Sequence, residues 1–143
     1  MFYITSYGEL ALSGHANIDL VIQQYSKSIG ITISLAEGAN TLTTADGREV
    51  WLEVSSTGDL LLVHSEVMER ASHRLNADDM LQFLEVNADI ETMKGAWLSF
   101  HEGTDSLRLC TVLPSDIITL NYFTTRFEAF LQTQLDVTKK YII

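Results

Sequence analysis

Several features that would define a class of protein are rare or missing in this sequence. One cysteine, Cys110, is present among 143 residues, so no disulfide can form within the chain. A reduced, intracellular protein fits this count. No run approaches the roughly 18 apolar residues of a membrane-spanning helix, and no basic or long apolar segment precedes Glu9. We therefore expect a cytoplasmic protein with neither a secretory signal nor a membrane span.

Basic residues are also scarce. Lys and Arg number 9 against 19 Asp and Glu, which gives a formal net charge of -10. Such a surface repels phosphate backbones and anionic lipid, so we expect neither nucleic acid nor a membrane as a partner. A basic or neutral polypeptide fits the charge better, although acidity that serves only solubility explains it equally well.

Motifs for catalysis and cofactor binding are missing too. The sequence has no G-x-S-x-G elbow and no glycine-rich phosphate loop, which argues against a hydrolase of that type and against nucleotide binding. None of the four histidines has a His or Cys neighbour at zinc-ligand spacing. They are His15, His64, His73 and His101. We predict no catalytic residue, no metal, no cofactor and no enzyme.

Two remaining candidates for chemistry have simpler structural explanations. Asp78 and Asp79 are adjacent, so on a helix their carboxylates would point about 100° apart, and both suit a helix N-terminus. Cys110 lies in the apolar stretch "SLRLCTVLP", which predicts a buried thiol and not a nucleophile.

Hydrophobic periodicity predicts a first helix that follows a short arm. Asn17 can cap a helix whose apolar residues recur every three or four positions, and Gly30 suits its left-handed end. Residues 1–14 have no clear periodicity, and we expect them to form an N-terminal arm outside one domain of residues 15–143. From Ile31 the period changes to two, which predicts extended chain.

Turn signals divide the next residues into three antiparallel strands. Asp46 and Gly47 form the residue pair of a two-residue type I′ hairpin turn, and "SSTGD" marks a second turn. A second helix follows Asn76, two strands cover "GAWLSFHEG" and "SLRLCTVL", and Ser115 or Asp116 caps a closing helix. The order α-β-β-β-α-β-β-α predicts an α+β fold, an antiparallel sheet with three helices.

Element order, size and acidity together resemble a known family. A helix ending in "SIGI", three strands, a helix followed by "GAWLSF", a strand ending in "LP" and a long closing helix are similar to the class I type III secretion chaperones of the Tir chaperone kind. The resemblance covers about Asn17 to Tyr141. It implies a bacterial, cytoplasmic homodimer that binds the N-terminal chaperone-binding segment of a secreted effector in extended form and keeps it competent for export.

The resemblance also implies roles for two sets of apolar residues. In that family the second helix and fourth strand commonly form the dimer contact, which here corresponds to Met80, Leu81, Phe83, Leu84, Trp97, Leu98 and Phe100. The effector contacts the first helix and the sheet and adds a strand to an edge, and the matching positions are Ile18, Ile22, Tyr25, Ile31, Ile33, Leu42 and Trp51. A twofold dimer needs a self-complementary surface, which the unit from Met80 to Gly103 would supply.

Two other functions stay open. A protein of this fold can act as a regulator that sequesters a transcription factor or an anti-activator of a secretion system. An enzyme of unrecognised type comes third, and a metabolite or metal bound to the purified protein would favour it. The identity of the protein that copurifies with the chain distinguishes the first two.

Overall fold

The computed structural model describes residues 6–69 and 75–142, with the backbone alone for residues 6–13. Its helices are α1 (Ser6–Ser28), α2 (Ala77–Val86), α3 (Ile90–Met93) and α4 (Leu120–Val137). Its strands are β1 (Ala39–Thr43), β2 (Glu49–Val54), β3 (Leu60–Glu69), β4 (Trp97–His101) and β5 (Ser106–Pro114). The predicted α+β order is confirmed, with one additional short helix, α3.

The strands form one sheet in the order β1-β2-β3-β5-β4, in which the pairs β1–β2 and β4–β5 are antiparallel. A short 3₁₀ turn, Glu102–Thr104, links β4 to β5, and a π-helical turn, Thr138–Ile142, follows α4. The chain divides into two compact units, Met1–Val63 with Val112–Phe127 and His64–Thr111 with Glu128–Ile143. A single domain of residues 15–143 stays a prediction.

Helix α1 begins earlier than the sequence predicts. It starts at Ser6 and not at Asn17, so the described part of the expected arm is helical, while residues 1–5 lie outside the described residues. Gly14 lies within this helix, and a Cβ there would collide with the carbonyl oxygen of Gly58. Its small size therefore serves a close approach between the helix and the β2–β3 turn.

Both ends of the α1 prediction can be judged from hydrogen bonds. The Asn17 side chain does not cap the helix, because its Nδ2 donates to the carbonyl oxygen of Ser115 at 2.7 Å. Gly30 is left-handed as predicted, with φ of 80°, and the amide of Ile31 donates to the carbonyl of Ser26 at 3.0 Å. These are the signs of a Schellman motif, which ends the helix at the expected place.

The β1–β2 connection corrects the predicted hairpin turn. Gly47 N donates to Thr44 O at 2.9 Å, and Thr44 N donates to Arg48 O at 2.8 Å. Gly47 has φ of 88°, whereas Asp46 does not have a positive φ. A type I′ turn needs both central residues in the left-handed region, so this loop is a type I turn followed by a left-handed glycine.

The caps of α2 and α4 give one confirmation and one correction. Asn76 Oδ1 accepts from the amide of Asp79 at 2.9 Å, and the Asp79 carboxylate accepts from the amide of Asn76 at 3.0 Å. This capping box confirms the structural explanation for Asp79. Helix α4 is capped by Thr119, whose hydroxyl accepts from the amide of Tyr122 at 3.1 Å, and not by Ser115 or Asp116, which lie in the preceding turn.

The core of the first unit lies between one face of its strands and the helices α1 and α4. Val50 and Leu52 are fully buried on the predicted inner face of β2, while Trp51 on the other face is half-buried. The rings of Phe123 and Phe127 stack with centroids 5.1 Å apart, and Tyr25 meets Phe123 edge-on at 5.0 Å. Such aromatic contacts fix the position of α1 on the unit.

Candidate functional site

Helix α2 keeps most of its apolar side chains exposed. Val86 is its buried residue. Met80, Leu81 and Leu84 are exposed by 38%, 59% and 65%, and Ile90 at the start of α3 is exposed by 79%. We call these four exposed residues the α2 surface. Leu84 follows Leu81 by three residues and Met80 by four on one helix, and exposed apolar side chains grouped in this way are typical of interaction sites.

The other residues assigned to the dimer contact by resemblance differ in accessibility. Phe83 and Trp97 are half-buried, and Phe100 is 38% exposed. Leu98 is only 6% exposed, because its side chain belongs to the core of the second unit. A role for Leu98 in the dimer contact stays a prediction. Ile90, the most exposed of the large apolar residues in the described chain, was missed because it lies in a helix of four residues, which is too short to show a periodic pattern.

An asparagine side chain occupies the edge of β4. Asn87 Oδ1 accepts from the amide of Leu98 at 2.6 Å, and Asn87 Nδ2 donates to the carbonyl of Leu98 at 3.2 Å. Because β4 is an edge strand, these are the groups that an added strand would use. The side-chain amide group of Asn87 makes both hydrogen bonds to the backbone of Leu98. Leu98 therefore cannot pair with a partner strand.

The opposite edge strand, β1, carries a similar contact. Asn40 Oδ1 accepts from the amide of Thr41 at 2.8 Å. The Nδ2 group of the same residue donates to the carbonyl of Ser34 at 3.2 Å. One amide donor of the β1 edge is therefore satisfied by a neighbouring side chain, which makes the edge less favourable for strand addition.

Residues 31–35 follow α1 and form neither helix nor strand. Their side chains alternate as the sequence predicts, with Ile33 and Leu35 buried and Ile31 exposed by 44%. The backbone of Leu35 is held from both sides, since its amide donates to Asp19 Oδ1 at 2.5 Å and its carbonyl lies 2.5 Å from His15 Nε2. These contacts attach the end of the segment to α1.

The backbone of Thr32 and Ile33, just before Leu35, has hydrogen-bonding groups that are unpaired within the described part of the chain. Among the described residues, no hydrogen bond joins the backbone amide or carbonyl of Thr32 or Ile33 to another group of the chain. An open groove of about 480 Å³ lies beside them, lined by Gln23, Ser26 and Lys27 of α1 and by residues 31–34. We call this the α1 groove. Unpaired donors and acceptors beside a groove are what a peptide in β conformation requires.

The residues assigned to effector contact by resemblance fall into two groups. Tyr25 and Trp51 are half-buried and Ile31 is exposed, so these three present surface to a partner. The other four are buried in the single chain, with 0% to 7% exposure, and are Ile18, Ile22, Ile33 and Leu42. Their side chains form the core of the first unit, and a role for them in effector contact stays a prediction. Lys27 and Thr32, which line the groove, carry no sequence signal of a binding role.

The residues considered for chemistry are dispersed or buried. Within residues 6–69 and 75–142, no three His, Cys, Asp or Glu side chains are grouped as a metal site would require. Burial raises the pKa of the Cys110 thiol to about 11, against a smaller lowering by the nearby Arg108 charge. Arg108 Nε donates to His64 Nδ1 at 2.8 Å, and both side chains are buried. His73 lies outside the described residues.

Comparisons with known proteins identify the family. The Tir chaperone protein (CesT) family matches residues 21–137, and the chain therefore belongs to that family. The resemblance drawn from the sequence is thus confirmed. No curated protein sequence matches the chain significantly. In the described residues, no helix combines the length and apolarity needed to cross a membrane.

Solved structures with the same fold come from complexes. A chain of the ExsC-ExsE complex matches with a TM-score of 0.75 and 18% identity, over 89% of this chain and 95% of that chain. A chain of the HopA1-SchA chaperone-effector complex matches at 0.70 and 9% identity, over 87% and 95%. A chain of the heterodimeric ExoU-SpcU complex of the type III secretion system of Pseudomonas aeruginosa matches at 0.61 and 18%, over 85% and 95%. At these identities the likeness establishes the fold.

Proposed function

We propose that this chain is a type III secretion chaperone that binds the N-terminal chaperone-binding segment of a secreted effector in extended form and keeps it competent for export. Membership of the Tir chaperone protein family supports the general role. The protein would act by binding alone, without catalysis or a cofactor, as a homodimer in the bacterial cytoplasm. The solved complexes with the same fold, one of them a chaperone-effector complex, are consistent with a protein partner.

The observation that carries the proposal is the open backbone of Thr32 and Ile33 beside the α1 groove. A partner in β conformation would pair with the amide and carbonyl of one of these two residues, since neighbouring residues of extended chain direct their backbone groups to opposite sides, and would place alternate side chains in the groove. The sheet edges are less suitable for strand addition, because side chains already accept hydrogen bonds from their backbone amides. Asn87 accepts from Leu98 of β4, and Asn40 accepts from Thr41 of β1. Strand addition is therefore directed to residues 31–34.

The α2 surface supports the homodimer. Met80, Leu81 and Leu84 lie within one helix of ten residues, so a twofold axis beside α2 would pair the same apolar patch from both protomers. Phe83, Trp97 and Phe100 present further apolar area for that contact. A dimer formed in this way would cover apolar side chains that are exposed or half-buried in the described part of the single chain.

A long partner segment should bind far better than a short one. Ordering a disordered segment costs roughly 2 to 5 kcal/mol, which requires an interface on the order of 1,000 to 3,000 Å². A fragment of about 50 residues can reach both protomers and gain the effective concentration of a tethered second contact. Separate pieces of about 15 residues cannot, so we expect them to bind weakly.

Copurification from a bacterium with an intact secretion system tests the function. We expect the tagged chain to retain one secreted protein through its N-terminal region, and deletion of the chain to stop export of that protein. Recovery of a transcription factor or an anti-activator would instead support the regulatory alternative.

A pair of substitutions at Thr32 tests the groove with that partner. Thr32→Pro removes the backbone donor, whereas Thr32→Ala keeps it and changes only the side chain. We expect the proline variant alone to lose binding of the N-terminal fragment, measured by calorimetry with both variants folded. Equal binding by the two variants would contradict strand addition at this residue.

A further inference from the structure

The α1 groove contains one cation with no partner in the described chain. Lys27 is the charged residue among those that line the groove, and it is exposed. The carboxylate nearest along α1, Asp19, is already engaged, because it accepts hydrogen bonds from Gln23, Ser34 and the amide of Leu35. No ion pair or hydrogen bond of the Lys27 ammonium occurs within residues 6–69 and 75–142.

Apolar side chains border the same groove. Leu20, exposed by 53%, precedes Gln23 by three residues and Lys27 by seven, so the three share one face of α1. Ile31, exposed by 44%, lines the groove from the segment that follows the helix. The groove thus combines the Lys27 ammonium with the apolar side chain of Ile31, and Leu20 continues the same face of α1 before the groove.

Covering such a groove with a peptide restricts the chemistry of the peptide. A strand laid along Thr32 and Ile33 would remove water from the Lys27 ammonium, and a charge that loses its water without a partner is costly. The chain has a net charge of -10, so its long-range field disfavours acidic partners in general. A partner peptide with a carboxylate can bind in spite of that field only if the carboxylate reaches a nearby cation.

We propose that the α1 groove selects an extended segment in which an acidic side chain faces Lys27 and apolar side chains occupy the alternate positions on either side. Lys27 is then a specificity-determining residue, and the apolar neighbours contact Leu20 and Ile31. The period of two in a β-strand places these three partner side chains on one face, toward the groove. The inference rests on the proposed function and adds the chemistry of the partner segment to it.

Selection from a phage-displayed library of random dodecapeptides tests this chemistry directly. The library is selected on the wild-type chain, on Lys27→Glu and on Lys139→Glu, which reverses an exposed lysine outside the groove. Several copies of each peptide on one phage compensate for weak single contacts. We expect acidic residues flanked by alternate apolar residues on the wild type and on Lys139→Glu, and Lys or Arg at the acidic position on Lys27→Glu.

A synthetic peptide of the selected sequence gives the size of the effect. We expect Lys27→Glu to weaken its binding at least about tenfold, since close like charges oppose association. This difference should shrink at roughly 1 M salt, where the Debye length is about 3 Å. Acidic peptides that bind Lys27→Glu as well as the wild type would overturn the inference, as would a selection without acidic preference or without any enrichment.

Failure of this inference and failure of the proposed function have different signatures. If a long effector fragment binds and depends on the Thr32 amide while selected peptides lack the acidic position, the role of Lys27 is wrong and the chaperone function stands. If the acidic preference reverses on Lys27→Glu but no secreted protein copurifies, the groove chemistry stands and the export function is wrong.

Discussion

Helices α1 and α2 share an amphipathic pattern but differ in what covers it. In α1 the apolar residues Ile18 and Ile22 are fully buried within the first unit. In α2 the residues Leu81 and Leu84 are exposed by 59% and 65%, and Val86 alone is buried. The comparison teaches that an apolar stripe on a helix predicts that another surface packs against it. The stripe does not show whether that surface belongs to the same chain or to a partner.

The largest expected effect lies on the covered helix. Ile22→Ala removes a fully buried side chain, so we expect the free energy of unfolding to fall by about 2 to 5 kcal/mol. Leu20→Ala is the matched control on the same helix, because Leu20 is 53% exposed, and it should change stability by no more than about 0.5 kcal/mol. Chemical denaturation of both variants measures the difference. Equal losses would remove the distinction between the two faces of α1.

The next largest effect is expected for substitutions on α2, whose apolar side chains are exposed, and it concerns dimer formation. Leu81→Asp with Leu84→Asp places four charges in a twofold interface, so we expect the dimer dissociation constant to rise at least about 100-fold, near 2.7 kcal/mol. Ile117→Asp, at a residue exposed by 51% in the first unit, is the control and should leave the mass unchanged. Light scattering during size exclusion measures the mass. A wild-type monomer at micromolar protein, or a dimeric double variant, would contradict the role of the α2 surface.

The sequence predicts those features of the fold that depend on neighbouring residues. Gly30 ends α1 and Asn76 caps α2 because each acts on the backbone within a few residues of itself. The predictions for the start of α1 and the cap of α4 were wrong because these features depend on residues far apart in sequence. Asn17 bonds to Ser115, a residue 98 positions away in sequence, and no local pattern reports such a contact.

The candidate site shows the same limit. Periodicity identified the apolar faces of α1 and α2 but could not tell that Ile18 and Ile33 would be buried while Leu84 would not. The closed edge at Leu98 depends on the side chain of Asn87, which the sequence shows only as a polar residue after a helix. No local pattern reports that the backbone of Thr32 has no hydrogen-bond partner among the described residues.

A smaller effect tests how far α2 depends on its cap. With a single buried residue, this helix gains little from packing, so the capping box at Asn76 carries a large share of its local stability. Asn76→Ala should lower that stability by about 1 kcal/mol. Asp78→Asn, beside the box, should cost only a few tenths of a kcal/mol. Hydrogen exchange of the α2 amides should become roughly fivefold faster in the first variant, and unchanged exchange would show that another contact holds the helix.

The smallest effect concerns the polar contacts that hold the turn after α2. The Asp89 carboxylate accepts from the Tyr141 hydroxyl, from the amide of Thr92 at 3.2 Å and from Lys140 Nζ at 3.0 Å. These bonds, with Tyr141 first, hold the pKa of Asp89 well below its ordinary value of 3.8. The corresponding stability is present above pH 3.8 and is lost as the pH falls toward the lowered pKa.

Denaturation of the wild type and Asp89→Asn across this range tests the turn contacts. We expect the wild type to be the more stable at neutral pH, with a difference that shrinks at about pH 3 and below, because protonation then removes the charge that the substitution removes permanently.

Tyr141→Phe should reduce the difference more than Lys140→Met, since the hydroxyl is the stronger influence on the carboxylate and the ammonium is more than half exposed. A difference that is constant with pH would mean that Asp89 acts through its shape as the cap of α3 and not through its charge. In that case the charge of Asp89 would add nothing to the second unit, and the contrast of α2 with α1 would rest on the apolar side chains and on the capping box at Asn76.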